Sequence, residues 1–334
     1  MDFLNALVAF LNFVFIPGLA YGSQLALGAL GVTLIFAVLR FSNFAHGDTM
    51  AFGAAFVILF TWWFQSMGIS AGPLPTALLA LPFGIAVTVA FVLATDRVVY
   101  RFYRRQKAAS IIVVIVSAGV MFVTNGLVRL IIGSEERNFT DGTRFLLDPK
   151  VFKETTGLSE ALAIKTTQAV TVVVAIICVA ALFWFLQKTR TGKSMRAFSD
   201  NEDLALLSGI NPDRVVQVTW IIAATLAVIA GTLYGLDKSF RPFIYFGLLL
   251  PIFAAAIVGG LGSPLGAIVG GYVIAFSELL VTSAWKKIAG YLFPADWHGD
   301  SLLQALSTDY KVAVSFVILV IVLLVMPTGI FKGK

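Results

Sequence analysis

His46 and Asp48 stand on either side of Gly47 in the stretch Ser42–Asp48, SNFAHGD, between two strongly apolar runs. Histidine and carboxylate side chains are the usual carriers of general acid–base chemistry. That chemistry needs the two groups to converge and a third group to orient the base. The sequence shows no third group, and the catalytic reading is the weakest. Two others remain. In one, the stretch is a turn, with Gly47 permitting it and Asp48 capping a helix that begins at Thr49. In the other, Asn43, His46, Gly47 and Asp48 form a gate or line a path.

Other chemical signatures are sparse. Residues 191–194, TGKS, look like the end of a phosphate-binding loop, but Gln187 stands where that motif requires its first glycine. An apolar helix rather than a strand precedes it, so the backbone cradle for phosphate is missing. Cys178 is the only cysteine, which excludes an intramolecular disulfide and a redox pair. His46 and His298 are the only histidines, and no metal cluster can be assembled from their spacing. No metal and no cofactor are expected. An integral-membrane enzyme would need a polar catalytic cluster, and none is visible.

The elements that position these residues follow from composition. Of 334 residues, 59% are hydrophobic and 13% charged, and the mean hydropathy is +0.92. A soluble domain carries about 25% charged residues; this chain has too few polar side chains to cover a soluble surface. It is expected to be an all-α integral membrane protein. A span needs about 20 apolar residues. Candidates lie near 3–16, 18–39, 48–65, 74–95, 108–132, 166–187, 215–235, 247–261, 264–283 and 310–326. The fold class is therefore a bundle of about ten (8–10) transmembrane helices, some short or broken. Residues 1–334 form a single transmembrane domain, since no connection is long enough to fold independently.

The net charge of +6 does not indicate nucleic acid, because the bases cluster in short loops beside apolar runs. Residues 97–107, RVVYRFYRRQK, and 188–196, KTRTGKSMR, hold bases and no acid. By the positive-inside rule both are cytoplasmic. Loops 133–165 and 284–309 mix both signs and are expected outside, the latter with Trp285, Asp296, Trp297 and Asp300 near an interface. Ten helices place both termini inside. If 3–16 does not span, the N-terminus lies outside and the count is nine. No Lys or Arg precedes Arg40, so the charged start of a cleavable signal peptide is missing.

Residues 194–215, within and just past the cytoplasmic loop 188–214, are the most polar ordered-looking stretch. Ser199 and Glu202 match a capping box, a short helix runs through about Leu207, Gly209 stands at its C-terminal cap, and Pro212 stops continuation. Such a helix either covers the bundle end or couples to a cytosolic motor. Gly262, Gly266 and Gly270 suit close helix packing. Asp48, Arg129, Asp237, Lys238 and Glu278 fall near predicted segment ends, and none at the centre of a span. An ion-coupled carrier usually keeps an acid at mid-depth; its absence favours an energy source outside the membrane.

Four stretches together resemble one family: NFAHGD (43–48), RTGKSMRAFSDNEDLALLSGINPDRV (190–215), AAAIVGGLGSPLGAIVGGYV (254–273) and YKVAVSFVILVIVLLVMPTGIF (310–331). The chain resembles the permease subunits of bacterial branched-chain amino-acid ABC importers of the LivH type. In that family a loop of the pattern R-x-x-x-D-x-x-x-A-x-x-x-G-I docks on the ATPase. Here Arg196, Asp200, Gly209 and Ile210 match, and Ala205 sits near the alanine position. The resemblance implies an ATPase-coupling loop carrying Arg196, Ser199, Asp200, Glu202, Ala205, Gly209 and Ile210. It also implies two cytosolic ATPase subunits, a second, homologous permease as heterodimer partner, a periplasmic solute-binding protein and a place in the bacterial inner membrane. Permeases for urea and short amides share the architecture; Phe44 and Asp48 lean toward amino acids. Two departures stand out. Segment 284–309 is longer than usual, and Met326 precedes Pro327 where arginine is common.

Overall fold

The computed structural model describes residues 2–282, 288, 291, 311–326 and 328–331. Among them, eight helices are long and apolar enough to cross a membrane, and Ala313–Val325 is a shorter apolar stretch. The segments expected at 3–16 and 18–39 are one continuous run, α1, Asp2–Leu39. A wide π-turn at Leu11–Phe15 precedes Pro17, and the Ile16 N–H bonds to the Leu11 carbonyl. Proline lacks an amide N–H, and the widened turn absorbs that loss, so the helix continues where a break was expected. At 1.5 Å per residue the run is about 57 Å long, against about 30 Å of hydrocarbon.

This single helix corrects the ten-helix arrangement with both termini together. Near its start, the side chains of Asn5 and Asn12 accept from the Glu160 and Ala163 amides, each at 3.2 Å. At its finish, Arg40 donates to the Ser199 carbonyl. The chain thus enters at the end of the bundle that holds the 133–165 loop, here the far end. It first turns at the end that holds residues 189–211, here the loop end. The Ile330 amide bonds to the Val258 carbonyl at 2.8 Å, so the other terminus closes at the loop end.

The remaining long helices are α2 His46–Ser66, α3 Ala77–Arg105, α4 Ser110–Ile132, α6 Thr166–Lys188, α9 Pro212–Lys238, α10 Pro242–Gly259 and α11 Pro264–Thr282. The short α5 Pro149–Thr156 lies in the far-end loop beside a two-stranded hairpin, β1 Phe145–Leu147 with β2 Ile164–Lys165. Between α6 and α9 come α7 Arg190–Asp200 and α8 Glu202–Leu207. Last is α12 Lys311–Val325. Helix α3 runs ten residues past its expected end at 95, through a wide turn at Asp96–Tyr100. Much of the basic 97–107 stretch is therefore helix. Segment 284–309 lies almost entirely outside the described residues, as does Pro327.

The centre of the bundle is α1 from Gly18 to Val38, buried almost throughout, packed chiefly on α11 and α9. In lipid, helices associate by backbone approach rather than by apolar burial, and glycine sets that approach here. A Cβ on Gly266 would stand 2.2 Å from the Gly259 carbonyl oxygen, and one on Gly270 would stand 2.0 Å from that of Ala255. Gly262 has a different place: with φ of 87° it makes the turn between α10 and α11. At the far end Asp141 fastens the long loop to the α2–α3 connection. Burial pushes its carboxyl up, but hydrogen bonds from the Thr76 amide at 2.7 Å and the Gln65 amide group at 2.9 Å outweigh it. The carboxyl lies below its ordinary value.

Candidate functional site

Two regions gather the residues that the sequence singles out. The first is the helix pair at the loop end. The Thr189 hydroxyl accepts from the Gly192 amide at 3.0 Å and starts α7. Gly192, the glycine of TGKS, is buried where a Cβ would meet the Phe185 carbonyl oxygen at 2.2 Å. It serves close packing on the end of α6. Met195 and Phe198 bury the inner face of α7, while Arg196 and Asp200 are exposed and line a cavity of about 440 Å³ with Lys193.

The expected capping box is not formed. Ser199 lies inside the last turn of α7, and the cap of α8 is Asn201, whose Oδ1 accepts from the Leu204 amide at 3.0 Å. Asparagine caps as well as serine, and the chain breaks helix two residues later than the Ser-x-x-Glu spacing implies. Glu202 begins α8, and with Asp203 it shares a cavity wall with Arg104 and Lys107. Gly209 has φ of 79°; its amide bonds to Leu206 and that of Ile210 to Ala205, each at 3.0 Å. These bonds terminate the helix as a left-handed glycine does. Asn211 then caps α9, with Pro212 at its first turn. Only Ala205 of α8 faces the core. Leu204, Leu206 and Leu207 are 60%, 42% and 85% exposed.

Beneath this pair lies a charged network that sequence reasoning missed. Asp96 is buried; it accepts from the Trp220 indole N–H at 2.9 Å and from both Arg104 guanidinium nitrogens at 2.9 and 3.3 Å. Arg101 pairs with Asp213 at 2.9 Å. The network joins the extended end of α3 to the start of α9, the helix that leaves the loop. The sequence signal was present: Asp96 is the acid that immediately precedes five bases in 97–107. Asp96→Ala leaves the buried indole N–H unpaired and Arg104 with only its 3.9 Å contact to Asp213, a loss of about 1–3 kcal/mol. The expected result is a lower melting temperature in detergent, with Asp96→Asn intermediate because it keeps the Trp220 bond.

The second region is SNFAHGD. It does not turn at the bundle surface. Arg40, with φ of 58°, ends α1, and residues 41–45 climb back into the bundle. His46 packs beside Gly31, roughly 12 Å of helix back from the Leu39 end. Asp48 Oδ1 accepts from Asn125 at 2.6 Å, roughly 22 Å along α4 from its loop-end start. Helix α2 therefore begins at depth. Irregular backbone there must be satisfied by protein, as the amides of Phe44, Ala45 and His46 are. Asn43 Oδ1 accepts from the Ala45 amide and the Tyr100 hydroxyl, each at 3.2 Å; the Phe44 amide donates to Ser117 at 3.1 Å; the His46 amide donates to the Asn43 carbonyl at 3.3 Å.

This placement corrects three expectations. Asp48 does not cap a helix at Thr49: α2 begins at His46 behind Ala45, without a side-chain cap. Gly47 is helical, and its role is approach: a Cβ would stand 2.7 Å from the Tyr245 carbonyl oxygen. Asp48 is not at a bundle end but fully buried, with Oδ2 unbonded and Arg129 as the nearby cation. Glu278 is also buried, and Ser315 donates to it. Ionisable groups thus do occur inside this bundle. Asn43 and His46 are 3% and 2% exposed, so the start of α2 is buried.

Similarity to known proteins points to one family. Residues 14–323 match the family described as branched-chain amino acid transport system / permease component. The chain is 34% identical over 320 residues to the high-affinity branched-chain amino acid transport system permease protein LivH of Escherichia coli (strain K12), covering 94% of this chain and 92% of that one. It is 30% identical over 316 residues to the permease protein BraD of Pseudomonas aeruginosa, covering 94% of each. It is 28% identical over 316 residues to a probable LivH of Methanocaldococcus jannaschii, covering 93% and 89%.

Proposed function

Because the chain belongs to the permease family of branched-chain amino-acid ABC importers, we propose that it forms half of an ATP-driven path for leucine, isoleucine and valine across the inner membrane. It is a membrane-embedded transport subunit and not an enzyme; ATP hydrolysis and solute capture belong to partner chains. The partners in this reading are two cytosolic ATPase subunits, a periplasmic solute-binding protein and a second, similar permease that completes a heterodimer. The loop end faces the cytoplasm and the far end the periplasm, in agreement with the bases of 97–107 and 188–196.

The observation that carries the coupling role is the exposed leucine surface of α8. Leu204 and Leu207 face outward from a short helix capped at both ends, while Leu206 borders the cavity beside Phe41 and Tyr100. A chain that only covered its bundle would turn Leu204 and Leu207 inward. In this reading Leu204 and Leu207 fill a groove on the ATPase, and Arg196, Asp200 and Glu202 make the polar rim. Closure of the ATPases on ATP moves α7 and α8 together. Arg40, bonded to Ser199, passes the movement to residues 41–45 and so to the start of α2. Asn43, His46, Gly47 and Asp48 then form a gate, closed here, that a second arrangement of the bundle opens. Coupling of this kind requires two discrete arrangements that ATP binding biases.

Competition tests the substrate class. With the complete importer in proteoliposomes, excess isoleucine or valine should suppress radiolabelled leucine uptake, while urea and acetamide should leave it unchanged. Suppression by urea or acetamide alone would move the chain to the amide permeases.

A further inference from the structure

The far end holds a cavity of about 600 Å³ lined by both signs of charge: Asp141, Arg144, Lys165, Asp237 and Lys238. That volume lies within the range of small-molecule sites, about 300–1,000 Å³. Asp141 is committed to Thr76 and Gln65. Asp237 is not committed in the same way. Its side chain is 4% exposed, yet Oδ1 has no hydrogen-bond partner. The two lysines stand off from it: Lys165 Nζ lies 4.0 Å from Oδ1, and Lys238 Nζ lies 3.5 Å from Oδ2. Charge-assisted N–H···O bonds are about 2.7–2.9 Å long, so both contacts are loose. Both lysine side chains remain nearly half exposed, at 43% and 49%.

We propose that this cavity is a receiving site for a free α-amino acid, bound by its zwitterionic backbone before it enters the bundle. The α-ammonium takes the unbonded oxygen of Asp237. The α-carboxylate takes Lys165 and Lys238, with Arg144 adding positive charge to the wall. An amine without a carboxylate meets three cations, and an acid without an ammonium meets a buried carboxylate; only a ligand bearing both charges matches both. Leu236 is the one large apolar side chain in the lining, so the site selects the backbone and leaves side-chain choice to the binding protein. The proposal rests on the importer reading above and adds to it a defined point of entry. Asp237 lies at the end of α9, whose start carries the Asp213 ion pair.

The test uses the complete transporter in lipid nanodiscs without binding protein, and saturation-transfer NMR with leucine, isovalerate or isoamylamine at millimolar concentration. Leucine should give a signal, and the two half-ligands should not. Asp237→Asn should weaken leucine binding by about tenfold or more, the loss of one charge-assisted contact. Lys238→Met, at an exposed side chain, should do the same and guards against misfolding of the Asp237 variant. No leucine signal in a complex that still performs ATP-driven uptake would overturn the site while leaving the importer reading intact. A signal untouched by either variant, or matched by isovalerate or isoamylamine, would also overturn it. Loss of wild-type uptake itself would count against the importer reading instead.

Discussion

Substituting valine for Gly270 should remove folded protein from the membrane fraction. A Cβ there would lie 2.0 Å from the Ala255 carbonyl oxygen and 2.9 Å from the Gly259 nitrogen. Overpacking against side chains typically costs about 1–3 kcal/mol, because rotamers give way. Here the opposing atoms are backbone, and only separation of α10 from α11 relieves the overlap. That movement would also lift Gly271 from Ala26, at the centre of α1. A cost of about 4 kcal/mol or more is expected, in the range kept for core disruption. Size-exclusion profiles and melting curves in detergent check it. Gly119→Ala is the control, since nothing lies within 4 Å of a Cβ at that position; it should run as wild type.

Aspartate at both Leu204 and Leu207 should leave a folded, inserted permease that no longer holds its ATPases. Neither leucine supports the fold, at 60% and 85% exposed. Burying a leucine at an interface is worth about 1.5–3 kcal/mol, so removing two should weaken ATPase binding on the order of a hundredfold or more. Co-purification and melting temperature separate the outcomes: the ATPases are lost and the melt is unchanged. Arg40→Met makes the contrast. It spares the leucine surface but cuts the bond to Ser199, so ATPases should stay bound while leucine carried per ATP falls.

Much of this fold is legible in the sequence because membranes make demands that composition exposes. Long apolar runs, basic short loops and glycines at helical spacing lead to the bundle, and Gly209 marks the end of α8 through a left-handed φ open to glycine. The departures have two physical causes, local competition and partners distant in sequence. Pro17 reads as a break, yet a wide turn before it accommodates the missing N–H. Ser199 fits a capping pattern, but Asn201 competes with equal chemistry two residues on. Asp48 and Gly47 read as cap and turn because a polar stretch between apolar runs suggests a surface loop. Nothing local says that residues 41–45 climb into the bundle; that depends on Ser117, Tyr100 and Asn125, all more than fifty residues away. The Asp96 network escaped for the same reason, since its partner Trp220 belongs to another helix.

In the importer reading, partner ATPases drive amino-acid movement through this chain, with α7 and α8 as the link. The most direct measurement is leucine accumulation in proteoliposomes holding the permease pair and both ATPases, with binding protein outside and ATP trapped inside. Accumulation against a gradient that needs ATP and vanishes in the Leu204/Leu207 aspartate variant is expected. Accumulation that persists without the ATPases, sustained by a proton or sodium gradient, would contradict it.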